Sequence, residues 1–189
     1  MPFSIEAALE LVNCFPSGEE DKSRELTLGL LRQTPEPLSR HQYAPGHLTC
    51  TGLVLHPNRQ SFLLIHHRRL NRWLAPGGHV ETEDDSPRAA AAREVREETE
   101  LTVLPGVALL AGLDVHGIPA KGAEPYHLHH DLKFAFLAAS AEVAVTSETR
   151  GVAWCSFDEA DRYTVPPSIL RAASRARQFL GCNNPNNIK

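Results

Sequence analysis

Glu94, Glu97 and Glu98 stand three and four residues apart in a segment that opens on Ser86-Pro87 and runs through four alanines. Serine is a favoured helix N-cap, proline suits the first helical position, and alanine has the highest helix propensity. The segment therefore predicts a helix over residues 86–100 with all three carboxylates on one side. Like charges at that spacing repel, so the arrangement is costly unless a cation neutralises it. Mg²⁺ takes carboxylate oxygens and waters in an octahedral shell, often shared with substrate phosphates. A solvated acidic helix face has the same spacing. Pro76-Gly77-Gly78 weighs against that reading, because paired glycines let the backbone turn sharply and approach a ligand. The loop between adds Glu81, Glu83, Asp84 and Asp85, while Ala89, Ala92 and Val95 are expected to face the core.

Around this helix the chain alternates strand and helix signals. Residues 4–14 and 19–33 have helical spacing, with Ile5, Leu9 and Val12 on one stripe and Leu26, Leu30 and Leu31 on another. Strands are expected at 48–56, 60–67, 103–115, 127–138 and 150–157, with His56-Pro57-Asn58-Arg59 as a hairpin turn. A last helix runs from Pro167 to Leu180, with Ile169, Ala173, Ala176 and Leu180 on one face and Gly181 as its stop. This order predicts an α/β fold, an α/β/α sandwich around a mixed sheet. Residues 1–45 read as an N-terminal helical extension packed on the main domain, 46–181 as that domain, and 182–189 as a C-terminal tail.

The 189 residues suit one domain able to bury a core without staples. A net charge of −4 with no long basic run argues against binding long nucleic acid. No apolar run is long enough to span a bilayer, and the acidic N-terminus does not read as a signal peptide. Cys14, Cys50, Cys155 and Cys182 form no Cys-x-x-Cys pair, which removes zinc-ribbon and thioredoxin readings. Together these features suggest a cytoplasmic protein without a membrane partner; a homodimer is left open.

The segment from Leu74 to Leu101 resembles the Nudix box, Gly-x5-Glu-x7-Arg-Glu-U-x-Glu-Glu-x-Gly-U, where U is aliphatic. Gly78 matches its first glycine, Arg93-Glu94-Val95-Arg96-Glu97-Glu98 its core, and Leu101 its last aliphatic. Trp73, Pro76, Gly77 and Gly78 resemble the Trp-x-x-Pro-Gly-Gly approach to the box. Two departures stand out. The stretch from Gly78 to Arg93 is one residue longer, so Asp84 (counting forward) or Asp85 (counting back) takes the place of the first glutamate. Glu100 replaces the last glycine; a left-handed glutamate would cost about 1–2 kcal/mol, so the helix is expected to end another way.

The resemblance implies a Nudix-type sandwich and a hydrolase that binds Mg²⁺ or Mn²⁺ and attacks phosphorus with water. It implies Glu97 and Glu98, with Glu94 close behind, as metal ligands and catalytic residues, and Arg93 as the residue that orients them. The general base varies in this family; Glu94 and Glu148 are the candidates. Gly77 and Gly78 are expected beside the substrate, a small phosphorylated nucleotide derivative. Arg68 and Arg72, in the basic stretch from His66 to Arg72, suit phosphate, since guanidinium forks fit that geometry. A solvated basic loop is the alternative. Trp73 is expected in the core rather than as a base-stacking platform.

His127, His129 and Asp131 share one face of their strand and His130 the other. Such a trio suits a transition metal. A cleft lining is the commoner role for such a strand, and His129 is accordingly expected at the substrate. Two rival functions remain. A non-catalytic Nudix-fold module could bind a nucleotide and regulate a partner, although such modules often lose box glutamates that this chain keeps. An isomerase of the isopentenyl-diphosphate type would want a catalytic cysteine, for which Cys50 is the candidate. The substrate is not legible, because the pocket lies on loops outside the box.

Overall fold

Residues 46–55 are apolar on one side of a strand and carry His47, Thr49 and Thr51 before Leu53 and Leu55 on the other, so helices can cover both faces. The computed structural model, which describes residues 4–106 and 109–182, bears this out. In β1 (Gly46–Leu55), Leu48, Cys50 and Val54 enter one core cluster and Leu53 and Leu55 the other. β1 runs parallel to β6 (His127–Leu137), in register from Gly46–Leu128 to Leu55–Leu137. β5 (Leu109–Ile118) closes that side, antiparallel to β6. On the other side β1 meets two partners. Its end pairs with β2 (Ser61–His67) at Leu55–Phe62, and its middle pairs with β4 (Gly77–His79). β2 in turn holds β3 (Arg72–Leu74) and β7 (Thr149–Ser156).

Helices cover both faces, giving the expected α/β sandwich around a mixed sheet. On one face α3 (Pro87–Thr99) presses Ala90, Ala91 and Val95 into the first cluster. α1 (Ile5–Asn13) and α2 (Asp21–Gln33) extend the same cluster with Ala8, Val12, Leu28 and Leu31. On the other face α4 (Pro167–Cys182) contributes Ile169, Ala173, Ala176 and Leu180, as its periodicity requires. Burying one of the leucine, isoleucine or valine side chains here is worth about 1.5–3 kcal/mol.

Several expectations need correction. Leu26 is exposed; α2 buries Thr27, Leu28, Leu30 and Leu31 instead. In α3 the fully buried alanines are Ala90 and Ala91, with Ala89 and Ala92 half-buried. The core stripe of α3 thus runs through Ala91, Val95 and Glu98, and this phase takes one carboxylate inward. β5 starts at Leu109 rather than 103, with Val103 making a single bridge to Ala138; residues 107 and 108 lie outside the described residues. Glu100 does adopt the left-handed conformation, at φ 57°, and its N–H caps the helix on the Arg96 carbonyl at 2.8 Å. The chain accepts the strain rather than ending α3 differently. Trp73 is half-buried, packed against the second cluster and edge-on to Tyr163. Most residues of the C-terminal tail lie outside the described residues.

Candidate active site

Ser86 starts α3, its hydroxyl accepting from the Ala89 N–H at 3.1 Å. That start sets the helical phase that aims the acidic residues at β4. Glu98 is 1% exposed, and its carboxylate accepts the Gly77 N–H at 2.9 Å. Burial pushes its pKa up to about 8, opposed by the Gly77 bond and reinforced by Glu94, Glu148 and Glu97. Glu94, half-buried, is also raised by burial, with Arg93 opposing. Glu97 is exposed at the rim. A Cβ on Gly78 would lie 2.5 Å from Glu94 Oε1, so only glycine lets β4 pass this close to the carboxylates.

Arg93 ties the group together. Its Nε and Nη2 grip Asp84 Oδ1 and Oδ2 at 3.1 and 3.0 Å. Nη1 donates to Glu94 and Glu97, both at 2.9 Å, and Nη2 also donates to the His79 carbonyl at 2.8 Å. The carboxylates around it hold its pKa above the ordinary range. Asp84 thus takes the place of the acidic partner. It is buried, and it closes its loop by accepting the Glu81 N–H at 2.9 Å. The extra residue of the segment falls between Asp84 and Arg93.

The expected basic residues are dispersed. Arg68 is exposed and gives one Nη2 bond to the Thr149 carbonyl at 3.1 Å. Arg72 is exposed on β3 across from His67. Among the described residues neither is hydrogen-bonded or ion-paired to α3. Arg40 and Arg69 are close enough to His79 to lower its pKa, which makes them the cationic rim on that side; sequence reasoning did not single out Arg40. Glu148 is near enough to Glu94 and Glu98 to raise both. Cys50 is fully buried on the α3 side of β1, its thiol raised well above the ordinary value by burial, which does not suit a nucleophile or acid working at a cleft.

The strand histidines have company that the sequence did not reveal. Parallel pairing sets His47 of β1 beside His129 of β6, with ring centroids 4.8 Å apart, and His47 lies 5.0 Å from His127. His79 of β4 joins at 5.1 Å from His47 and 5.3 Å from His129, and His116 of β5 at 5.7 Å from His129. Burial lowers the pKa of His79 to about 4 and of His129 to about 2, helped by neighbouring cations and imidazoles, so these rings are neutral at physiological pH. Asp131 shares their face but is engaged elsewhere, by Thr51 at 2.9 Å and Lys133 at 2.7 Å. His130 points to the other face, where its Nδ1 is 3.3 Å from the Thr27 hydroxyl.

A mixed sheet clasped between helices, with a Gly-Gly strand laid against the carboxylates of one of them, defines the Nudix class. The NUDIX domain family model matches residues 46–179, and the chain belongs to this family, whose members are generally metal-dependent pyrophosphohydrolases. Solved structures are similar in fold at low identity. A NUDIX-family hydrolase from Clostridium perfringens shares 21% identity at a TM-score of 0.53, covering 76% of this chain and 99% of its own. The NUDIX domain of Shewanella oneidensis NrtR, complexed with ADP ribose, shares 18% at 0.52, covering 87% and 99%. The E. coli dihydroneopterin triphosphate pyrophosphohydrolase shares 18% at 0.51, covering 68% and 92%. No curated protein sequence matches the chain significantly. Among the described residues no helix is long and apolar enough to cross a membrane.

Proposed function

We propose that this protein is a Mg²⁺- or Mn²⁺-dependent hydrolase that cleaves a phosphoanhydride bond in a small nucleoside-diphosphate-linked substrate. The observation that carries this reading is Glu98. Its carboxyl group is 1% exposed with Glu94, Glu97 and Glu148 near it, and burial first and those like charges second push its pKa up to about 8, so a cation there would relieve the crowding of negative charge. Arg93 supplies part of the positive charge and leaves Glu98 untouched. The close pass of β4 at Gly78 is a cradle that a Cβ would fill, as a cation-and-phosphate site needs. Glu94, Glu97 and Glu98 are the residues that would hold the ion. Such an ion offsets phosphate charge and makes water a competent nucleophile at neutral pH.

The chain's own residues take the remaining roles. Arg93 fixes Glu94 and Glu97 and, through Asp84, the loop ahead of α3. Glu94, raised by burial, is the first candidate to accept the proton of the attacking water, with Glu148 the second. The backbone at Gly77 and Gly78 borders the scissile diphosphate. Arg68, Arg72 and His129 are assigned to the substrate from sequence; of these His129 belongs to the group that meets β4, and Arg40 and Arg69 add charge there. A cytoplasmic location fits small nucleotide chemistry. The helices before residue 46 are assigned an accessory role, packing on the catalytic domain. ADP-ribose heads the panel of compounds to test, since the NrtR NUDIX domain was solved with it. Phosphate-release assays over nucleotide sugars, dinucleoside polyphosphates and ADP-ribose with Mg²⁺ test the proposal. Cleavage abolished by EDTA and restored by Mg²⁺ is expected; cleavage that persists without divalent metal would remove it.

A further inference from the structure

The imidazole group at the start of β1 and β6 has features that lining a cleft does not require. Gly46 is the first. A Cβ there would lie 1.9 Å from the Leu128 carbonyl oxygen, so the two strands approach more closely than any other residue permits. This approach brings His47 against His127 and His129, whose ligand atoms all lie within 4.8 Å of one another.

The second feature is tautomer control. His47 Nδ1 is 3.1 Å from the Gln42 carbonyl, and His127 Nδ1 is 2.9 Å from the Pro125 carbonyl. A carbonyl only accepts, so both Nδ1 atoms carry hydrogen and both Nε2 atoms present lone pairs. This is the carbonyl-backed arrangement in which metal-binding histidines are held. The third feature is that His47, 1% exposed, has an Nε2 buried without a hydrogen-bond partner among the described residues. A buried orphan acceptor is costly unless something fills it.

We propose that His47, His127 and His129 bind one divalent transition-metal ion of the zinc class through their Nε2 atoms. Imidazole nitrogen suits such ions and not Mg²⁺. Zinc–nitrogen bonds of about 2.0–2.1 Å in a tetrahedron set ligand nitrogens about 3.4 Å apart. His127 Nε2 and His129 Nε2 are 3.3 Å apart, and the His47 ligand atom lies within 4.8 Å of both. A direct hydrogen bond between His127 and His129 would also sit at 3.3 Å, but it leaves His47 Nε2 orphaned. Three nitrogens leave a fourth position, and His79 borders it. The site is distinct from the α3 carboxylates. Adjacent residues of a strand face opposite ways, so β4 turns Gly78 to Glu94 and His79 to the histidines. The proposal therefore does not depend on the α3 carboxylates, and it gives His129 to the ion rather than to direct contact with substrate.

The test uses tag-free, metal-stripped full-length protein offered Zn²⁺ and then gel-filtered. Wild type is expected to retain about one equivalent, because the three ligand atoms are already gathered within 4.8 Å of one another. Glu97→Gln/Glu98→Gln is expected to retain the same amount. His127→Ala and His129→Ala are each expected to bind at least about tenfold more weakly. Co²⁺ binding to wild type, read by its visible absorption bands, gives the coordination without any variant and is expected to report a low-symmetry nitrogen site. Negligible Zn²⁺ retention by wild type, equal retention by the histidine variants, or loss in the glutamate variant would each overturn the proposal. So would a Co²⁺ spectrum of six oxygen ligands, even if the histidine variants failed to fold.

Discussion

Arg93 grips Asp84 through two parallel hydrogen bonds, Nε to Oδ1 at 3.1 Å and Nη2 to Oδ2 at 3.0 Å, and so closes the loop ahead of α3 with a shorter acid than the Nudix pattern uses. Both partners are largely out of water, at 17% and 5% side-chain exposure. The same guanidinium steadies Glu94 and Glu97, so the loop and the carboxylates form one unit.

Removing this clasp is expected to cost both stability and rate. Asp84→Ala loses two charge-assisted bonds and the Glu81 loop contact, a loss of about 2 kcal/mol. Turnover is expected to fall about 10–100-fold, since the outer partners of a metal site tune its ligands. Thermal unfolding and kcat on the same sample check the pair; unchanged kcat with lowered Tm would limit Asp84 to a stabilising role.

Glu98 predicts a pH dependence. Its folded pKa of about 8 lies above the ordinary 4.5, so the metal-free native state binds the proton more tightly than the unfolded chain. That contribution is full below about pH 4.5 and is lost as pH rises through about 8. Metal-free Tm is thus expected to fall across this window, and Glu98→Gln to flatten the fall. Mg²⁺ is expected to raise Tm more at pH 8.5 than at pH 6. A Tm profile identical in wild type and Glu98→Gln would contradict the assignment.

The acidic helix, its start at Ser86-Pro87 and the Gly-Gly approach were legible because local capping, propensity and spacing determine them. The partner of Arg93 was not. Counting residues allowed Asp84 or Asp85, and only the path of the loop, closed on the Glu81 N–H, decides between them. β3 and β4 were missed because three residues carry no periodicity. The histidine group was half legible. His127 and His129 alternate on one strand, but His47 and His79 arrive through pairings with β6 and β4 that span long stretches of sequence. Glu100 shows the reverse failure: the strain argument was sound, yet the packing of α3 and Leu101 holds the left-handed turn regardless.

That turn gives a stabilising substitution. Glu100→Gly removes the penalty of a side chain at φ 57° and is expected to add about 1 kcal/mol. For a chain of this size the shift is roughly 2–4 °C in Tm. Differential scanning calorimetry reads it, and a lowered Tm would show that Glu100 makes compensating contacts.

Gly78→Ala is expected to separate stability from activity. The new Cβ would collide with the end of Glu94, a flexible side chain, so the fold yields cheaply, by about 1 kcal/mol or less. The displaced carboxylate is expected to lower turnover about 100-fold, since misplacements near 1 Å suffice for that. Near-normal kcat would mean that Glu94 need not stay where Gly78 lets it sit.

The central claim is that the α3 carboxylates couple divalent-metal binding to hydrolysis. Its most direct test is single-turnover cleavage and calorimetric nucleotide binding measured together on wild type and Glu94→Gln, with and without Mg²⁺. The account predicts Mg²⁺-dependent cleavage of at least one diphosphate compound, and in Glu94→Gln a much slower cleavage step with binding retained. Tight nucleotide binding indifferent to Mg²⁺, with no diphosphate in a broad panel cleaved, would contradict it and identify a regulatory binding module instead.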